Sequence, residues 1–140
     1  MNGDSMGAIQ NFEKALEYNS NSYEAWHYRG VIFDDCEGDI FDLDSDRENA
    51  IKSYEKALTL NSTHEDSWLK LMKLLYRLNR FENLADCLTS ADNKSNDMHS
   101  IYSELASYCH LHLEDFHGSL TLYDMAEMMT SVSVSLHNQF

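Results

Sequence analysis

The sequence predicts an all-α protein, a solenoid of antiparallel helix pairs with about seven helices, and three observations carry that reading. One phrase is spelled twice. "AIQNFEKALEYNSNSYEAWHYRG" from Ala8 and "AIKSYEKALTLNSTHEDSWLKLM" from Ala50 keep Ala-Ile, Glu-Lys-Ala-Leu, Asn-Ser and a Trp in step. Within each copy the apolar residues recur at steps of three and four, the period of one helix face. The phrase then recurs in worn form as "LADCLTSAD" and "SLTLYDMA", so that Ala8, Ala50, Leu84 and Ser119 stand 42, 34 and 35 residues apart. A period near 34 built from two helices is the mark of an array whose units bury their faces against their neighbours.

Taken in order, the pattern predicts helices over about 5–19, 22–36, 46–60, 64–79, 81–92, 97–113 and 116–130. The first presents Ala8, Ile9, Phe12, Ala15 and Leu16 on one side, and the third repeats that face with Ala50, Ile51, Tyr54, Ala57 and Leu58. Asn19-Ser20 and Asn61-Ser62 are turn pairs that stop one helix and admit the next. Asn21…Glu24 and Ser45…Glu48 have the spacing of capping boxes. The long 42-residue interval places about eight extra residues in an acidic insert at 34–46. Residues 1–130 then form one repeat domain: a lone helix, then pairs at about 22–60, 64–92 and 97–130. The tail 131–140 alternates Ser with Val132, Val134 and Leu136, a period of two that reads as extended or disordered.

Composition narrows the function. The chain has 140 residues, 43% of them hydrophobic, enough for one globular core. No apolar run is long enough to span a bilayer, and the N-terminus has no secretory pattern, so a cytoplasmic protein is expected. Cys36, Cys87 and Cys109 are scattered and read as reduced thiols. A net charge of -14 repels phosphate backbones and anionic lipids, which disfavours nucleic acid and membrane surfaces and favours basic protein segments as partners.

The family resemblance rests on specific residues. Trp26-x-x-Arg29-Gly30-x-x-Phe33 followed by Ala50-x-x-x-Tyr54-x-x-Ala57 resembles the tetratricopeptide repeat (TPR). Trp68-x-x-Leu71-Met72-x-x-Leu75 and Tyr102-x-x-Leu105-Ala106-x-x-Cys109 look like weaker copies of its first half. Gly30, Ala57, Ala106 and Ala126 are the small residues that let helices approach; Trp26, Phe33, Tyr54 and Trp68 fill the space between. The resemblance covers roughly residues 8–130 and implies a right-handed solenoid. The family's proline at the end of the second helix is missing. Met72 replaces a small residue, so that helix pair is expected to sit further apart. The chain opens on a second helix without its partner, which leaves Ile9, Phe12 and Leu16 as an expected self-association face.

The resemblance implies a non-enzymatic scaffold or adaptor that binds a peptide in a concave groove lined by the first helices of the pairs. Carried over residue by residue, the groove comprises Glu24, His27, Val31 and Asp34, then Asp66, Leu69, Lys73, Tyr76 and Arg77, then Ser103, Ser107 and His110. His27 and Val31 stand where chaperone-binding members carry Lys and Asn, which argues against a terminal-carboxylate clamp. A groove acidic at the first repeat and basic at the second suits a peptide of basic or mixed charge. The alternative is an assembly element, a homo-oligomer through the first helix or a piece of a longer repeat protein.

Other candidate chemistry is weaker. Asp42-x-Asp44-x-Asp46 begins like a calcium loop, but Arg47 and Ser53 stand where Gly and a bidentate Glu belong, so a solvated acidic loop anchored by Ile40, Phe41 and Leu43 is expected. Cys109, His110, His112 and His117 include metal-ligand types, yet His110 and His112 point about 200° apart on a helix. Lys70, Lys73, Arg77 and Arg80 form a basic stripe that reads first as helix-end compensation and second as an anion contact. No catalytic motif is present, so no enzyme, cofactor or metal is expected.

Overall fold

The computed structural model describes residues 3–35, 43–94 and 98–138, with side chains placed except at 3–6, 43–44, 93–94 and 129–138. Among the described residues there are seven helices and no strand. They are α1 (Gly3–Tyr18), α2 (Tyr23–Asp35), α3 (Leu43–Leu60), α4 (Glu65–Arg77), α5 (Phe81–Lys94), α6 (Met98–His112) and α7 (Phe116–Asn138). The helical periodicity locates the core directly: Ala50, Ile51, Tyr54, Ala57 and Leu58 of α3 are all buried, as are Trp68, Leu71, Met72 and Leu75 of α4.

Where the repeat pattern reads one continuous array, the chain packs as two compact units, Met1–Leu74 and Leu75–Phe140. In the first, α1 packs on α2 and α2 on α3. Arg29 braces the three: Nη1 donates to Ser53 Oγ at 2.6 Å, Nη2 pairs with Glu13 at 3.5 Å, and the guanidinium lies 4.8 Å from the Phe33 ring centroid. At Gly30 α2 approaches α3 closely. A Cβ there would stand 2.8 Å from the Tyr54 ring, so only a residue without a side chain fits as built.

The doubled phrase folds into a doubled turn. Asn19 and Asn61 close α1 and α3 through their amides to Ala15 O and Ala57 O, at 2.9 and 2.8 Å. The indole N–H of Trp26 donates to Ser20 O at 3.0 Å, and that of Trp68 donates to Ser62 O at 2.8 Å. Each tryptophan thus pins its helix to the turn six residues back, which is why Asn-Ser and Trp keep their spacing.

In the second unit α6 packs on α7. The last turn of α4 ends with Asn79 in the left-handed region (φ 60), while Arg80 N–H donates to Leu75 O and Asn79 N–H to Tyr76 O, a Schellman closure without glycine. Asp115 caps α7: its Oδ1 accepts from Gly118 N–H at 2.9 Å, and its Oδ2 accepts from the Tyr76 hydroxyl. These bonds hold the Asp115 carboxyl below its ordinary range, with the tyrosine bond the larger cause.

Several expectations change. Ser22, rather than Asn21, caps α2, its Oγ accepting from Ala25 N–H at 3.3 Å; Asn21 N–H is taken by Asn19 Oδ1 in a local turn. Ser45…Glu48 is no cap, because α3 starts at Leu43 and already contains Ser45. Helix α7 runs to Asn138, through most of the segment read as an extended tail. With no Gly or Pro between Ser119 and Asn138, each added residue gains a backbone hydrogen bond and the helix propagates. The face of α1 is not bare: Ile9 is buried, Phe12 stacks on Tyr28 with ring centroids 6.2 Å apart, and Leu16 is half-buried. Of the acidic insert, residues 36–42 lie outside the described residues, while Asp44 and Asp46 already sit on α3, as no calcium loop would have them.

Candidate partner-binding site

Of the residues assigned to a groove on α2 and α4, His27, Asp34 and Asp66 come together in the first unit, although not all face solvent. His27 is 3% exposed and sits at the centre of a polar chain. Its Nε2 lies 3.0 Å from Asp66 Oδ2, and its Nδ1 lies 2.8 Å from Ser67 Oγ, which in turn lies 2.6 Å from His64 Nδ1. Helical geometry explains the convergence: Asp66 and Ser67 occupy the first turn of α4, and His64 stands just before it, where Ser22 stands before α2. The second copy of the turn carries imidazole where the first carries hydroxyl.

Tyr54 lies beneath this chain, fully buried, with its ring 5.8 Å from that of His27. Its hydroxyl donates to Asp34 Oδ2 at 3.1 Å. Burial pushes the Tyr54 hydroxyl far above its ordinary range, and the nearby carboxylates of Asp34, Asp35 and Asp66 push it further. Burial likewise lowers the His27 imidazole; Asp66 opposes the shift, while His64 and Lys70 add to it. Two expected groove carboxylates, Asp34 from α2 and Asp66 from α4, are therefore both held around one buried tyrosine–histidine pair. The Asp66 side chain remains 58% exposed.

The connectivity Asp66–His27–Ser67 is that of a hydrolytic triad, but the geometry is not. Ser67 is 0% exposed, and its oxygen is shared between two imidazoles, so it cannot meet a substrate carbonyl.

Other expected groove residues have different surroundings. Glu24 is exposed and Val31 half-buried, whereas Leu69 belongs to the core. Lys73 and Arg77 are half-buried, as are Lys70 and Arg80, so the basic stripe is not a free cationic face. Tyr76 is tied to Asp115 and stands edge-on to Phe81 at 5.6 Å. In the second unit Ser103 and Ser107 are half-buried, and exposed His110 meets the Phe116 ring at 5.1 Å. Cys109 is core, Cys87 is a buried free thiol, and no His/Cys/Asp/Glu cluster of metal-binding geometry occurs among the described residues. No described helix is long and apolar enough to cross a membrane. Sequence reasoning missed Ser67 and His64. The only signal was their place beside the repeated turn, and an ordinary Ser and His carry no motif.

Solved structures match this architecture at low identity. MamA aligns with TM-score 0.62 and 21% identity, over 89% of this chain and 67% of its own. Human IFIT1, solved as a dimer with m7Gppp-AAAA, aligns with TM-score 0.66 and 17% identity, over 91% of this chain and 31% of its own. Both contain tetratricopeptide repeats. The fold is tetratricopeptide-like. No family model matches the chain, and no curated relative does. This chain spans about two thirds of MamA and under a third of IFIT1, so the likeness is one of fold at different scales.

Proposed function

We propose that the protein is a non-enzymatic interaction scaffold that binds a partner peptide along the α2 and α4 face of its first unit, with a basic side chain of the peptide set against Asp34 and Asp66. The observation that supports this most is the pair of anchored carboxylates. Asp34 is held by the Tyr54 hydroxyl and Asp66 by His27, so neither must be ordered again on binding, while Asp66 keeps most of its side chain in solvent. A peptide suits the face better than RNA, because a chain of net charge -14 repels phosphates. The assembly alternative loses its motive at α1, where Ile9 and Phe12 are already engaged by the fold.

The test is selection of displayed random peptides on the immobilised full chain, followed by titration of a selected peptide in low and high salt. Lys- or Arg-bearing peptides are expected, with affinity falling as salt rises and by about tenfold in Asp34→Asn or Asp66→Asn, the loss of one charge-assisted contact. Selected peptides without basic residues, or affinity indifferent to both substitutions, would reject the reading. An oligoadenylate RNA serves as the competing ligand and is expected not to bind.

A further inference from the structure

The polar chain beneath the proposed site has one property that its geometry imposes. Ser67 Oγ carries a single proton and stands between two imidazole nitrogens, 2.6 Å from His64 Nδ1 and 2.8 Å from His27 Nδ1. With both histidines neutral there is one complete assignment that keeps the Asp66 bond. His64 Nδ1–H donates to Ser67 Oγ, Ser67 O–H donates to His27 Nδ1, and His27 Nε2–H donates to Asp66 Oδ2. A proton added at His64 Nε2 leaves every bond in place. A proton added at His27 Nδ1 reverses the chain: that N–H now donates to Ser67, the hydroxyl turns to donate to His64 Nδ1, and His64 must carry its proton on Nε2. Two added protons cannot both be accommodated. Ser67 Oγ would then receive an N–H from each side, leaving its own proton without an acceptor at a position fully closed to water.

We propose that His64, Ser67 and His27 form a one-proton relay that sets the charge presented at Asp66, so that the grip on a basic partner group weakens as pH falls. When the proton resides on His64, Asp66 faces a neutral imidazole and keeps its full charge for a partner. When it resides on His27, Asp66 is neutralised from behind by an imidazolium. The groups around His27 decide the balance. From the α4 side, Asp66 favours the His27 cation while His64 and Lys70 oppose it. From α3, the Tyr54 ring packs at 5.8 Å with its hydroxyl held protonated, and from α2 itself the Tyr28 ring edge stands 5.3 Å away. Desolvation is the largest influence and works against the His27 cation, so the shared proton reaches His27 only below the ordinary imidazole range. By linkage, a partner cation on Asp66 disfavours the His27 cation to the same degree that the His27 cation disfavours the partner.

The partner half of this inference rests on the proposed peptide function; the relay does not, and the experiment separates them. Long-range ¹H–¹⁵N correlation of the histidine rings in the free full-length chain, from about pH 8 to about pH 5, reads tautomer and charge directly. The expected result at the upper end is Nδ1–H on His64 and Nε2–H on His27. On acidification one shared protonation is expected, in which His27 gains Nδ1–H while His64 carries its proton on Nε2, with the Asp66 carboxyl ¹³C shift following the His27 step. An Nε2–H tautomer on His64 at the upper end, or two rings that each become imidazolium independently of the other, would overturn the relay in the unmodified protein. Ser67→Ala is expected to release the His64 tautomer preference. A peptide from the selection above should then bind more weakly as His27 charges, by about tenfold, and His27→Gln should flatten that dependence. Peptide affinity that ignores the His27 step refutes the coupling even if the relay stands, whereas the absence of any bound peptide refutes the proposed function and leaves the relay to the ring spectra.

Discussion

The turn after α1 and the turn after α3 are one structure built twice, and they differ at a single functional point. In both, an asparagine closes the preceding helix, its side-chain oxygen accepts from the amide two residues on, and a tryptophan N–H reaches back to a serine carbonyl. At the cap position the first copy has Ser22, whose hydroxyl is satisfied locally by Ala25 N–H. The second copy has His64, which hands its bond to Ser67 and through it to His27 on α2. The repeated frame is thus a matter of local backbone chemistry. The departure from it at one residue links two helices through a chain of hydrogen-bonded side chains.

The sharpest way to break the comparison is through the tryptophans. Trp68 is buried, and Trp68→Ala is expected to cost about 3–5 kcal/mol, the range for emptying a closed aromatic site. Trp26 is half-buried, and its replacement should cost about 2 kcal/mol, of which the Arg29 cation 5.6 Å from its ring supplies a part. Denaturant titration of the two variants checks the ranking; equal losses would mean that the two copies bear equal loads.

Gly30→Ala probes the position that the second copy fills with Met72. The added methyl meets the buried Tyr54 ring, an overpacking cost of about 1–3 kcal/mol, against a gain in helix propensity of about 1 kcal/mol. Overpacking wins, and the net expected loss is about 1 kcal/mol, read as a lower melting temperature. Ala106, fully buried at the equivalent place in the second unit, shows that a methyl fits where the facing residue allows it.

A pH series sharpens the comparison from the other side. The folded His27 titrates below its ordinary 6.5, so its contribution to stability is complete above that value and is lost as pH falls through the lower folded pKa. Thermal melts should show this acid-side decline, and His27→Gln should flatten it. Nothing equivalent is expected from the Ser22 copy, since a hydroxyl cap does not titrate. The smallest effect is Ser22→Ala itself, about 1 kcal/mol for a lost N-cap, measured by the same melts.

Much of this architecture was legible in the chain because helices are local. The i, i+3, i+4 spacing of Ala50, Ile51, Tyr54, Ala57 and Leu58 marks a buried face without reference to anything distant, and all five are buried. Six of the seven helices end within three residues of where periodicity places them. The end of α7 was misread because alternating Ser and Val satisfies a period-two pattern, while the absence of Gly or Pro lets a helix run on through it. The candidate site was legible only in part. Asp34, His27 and Asp66 follow from helical phase on the repeat, whereas Leu69 at an equivalent phase is core and Tyr76 is bound to Asp115.

What the sequence determined by itself is therefore the set of helices, their buried faces and the tetratricopeptide-like class, since these depend on residues within a turn or two of one another. What only the tertiary structure decided is which polar groups share protons: His27 with Ser67, forty positions apart, and Tyr76 with Asp115, thirty-nine apart. Such pairs are set by how the helices pack. A rotation of about 100° per residue means that one slip in phase would have delivered different partners.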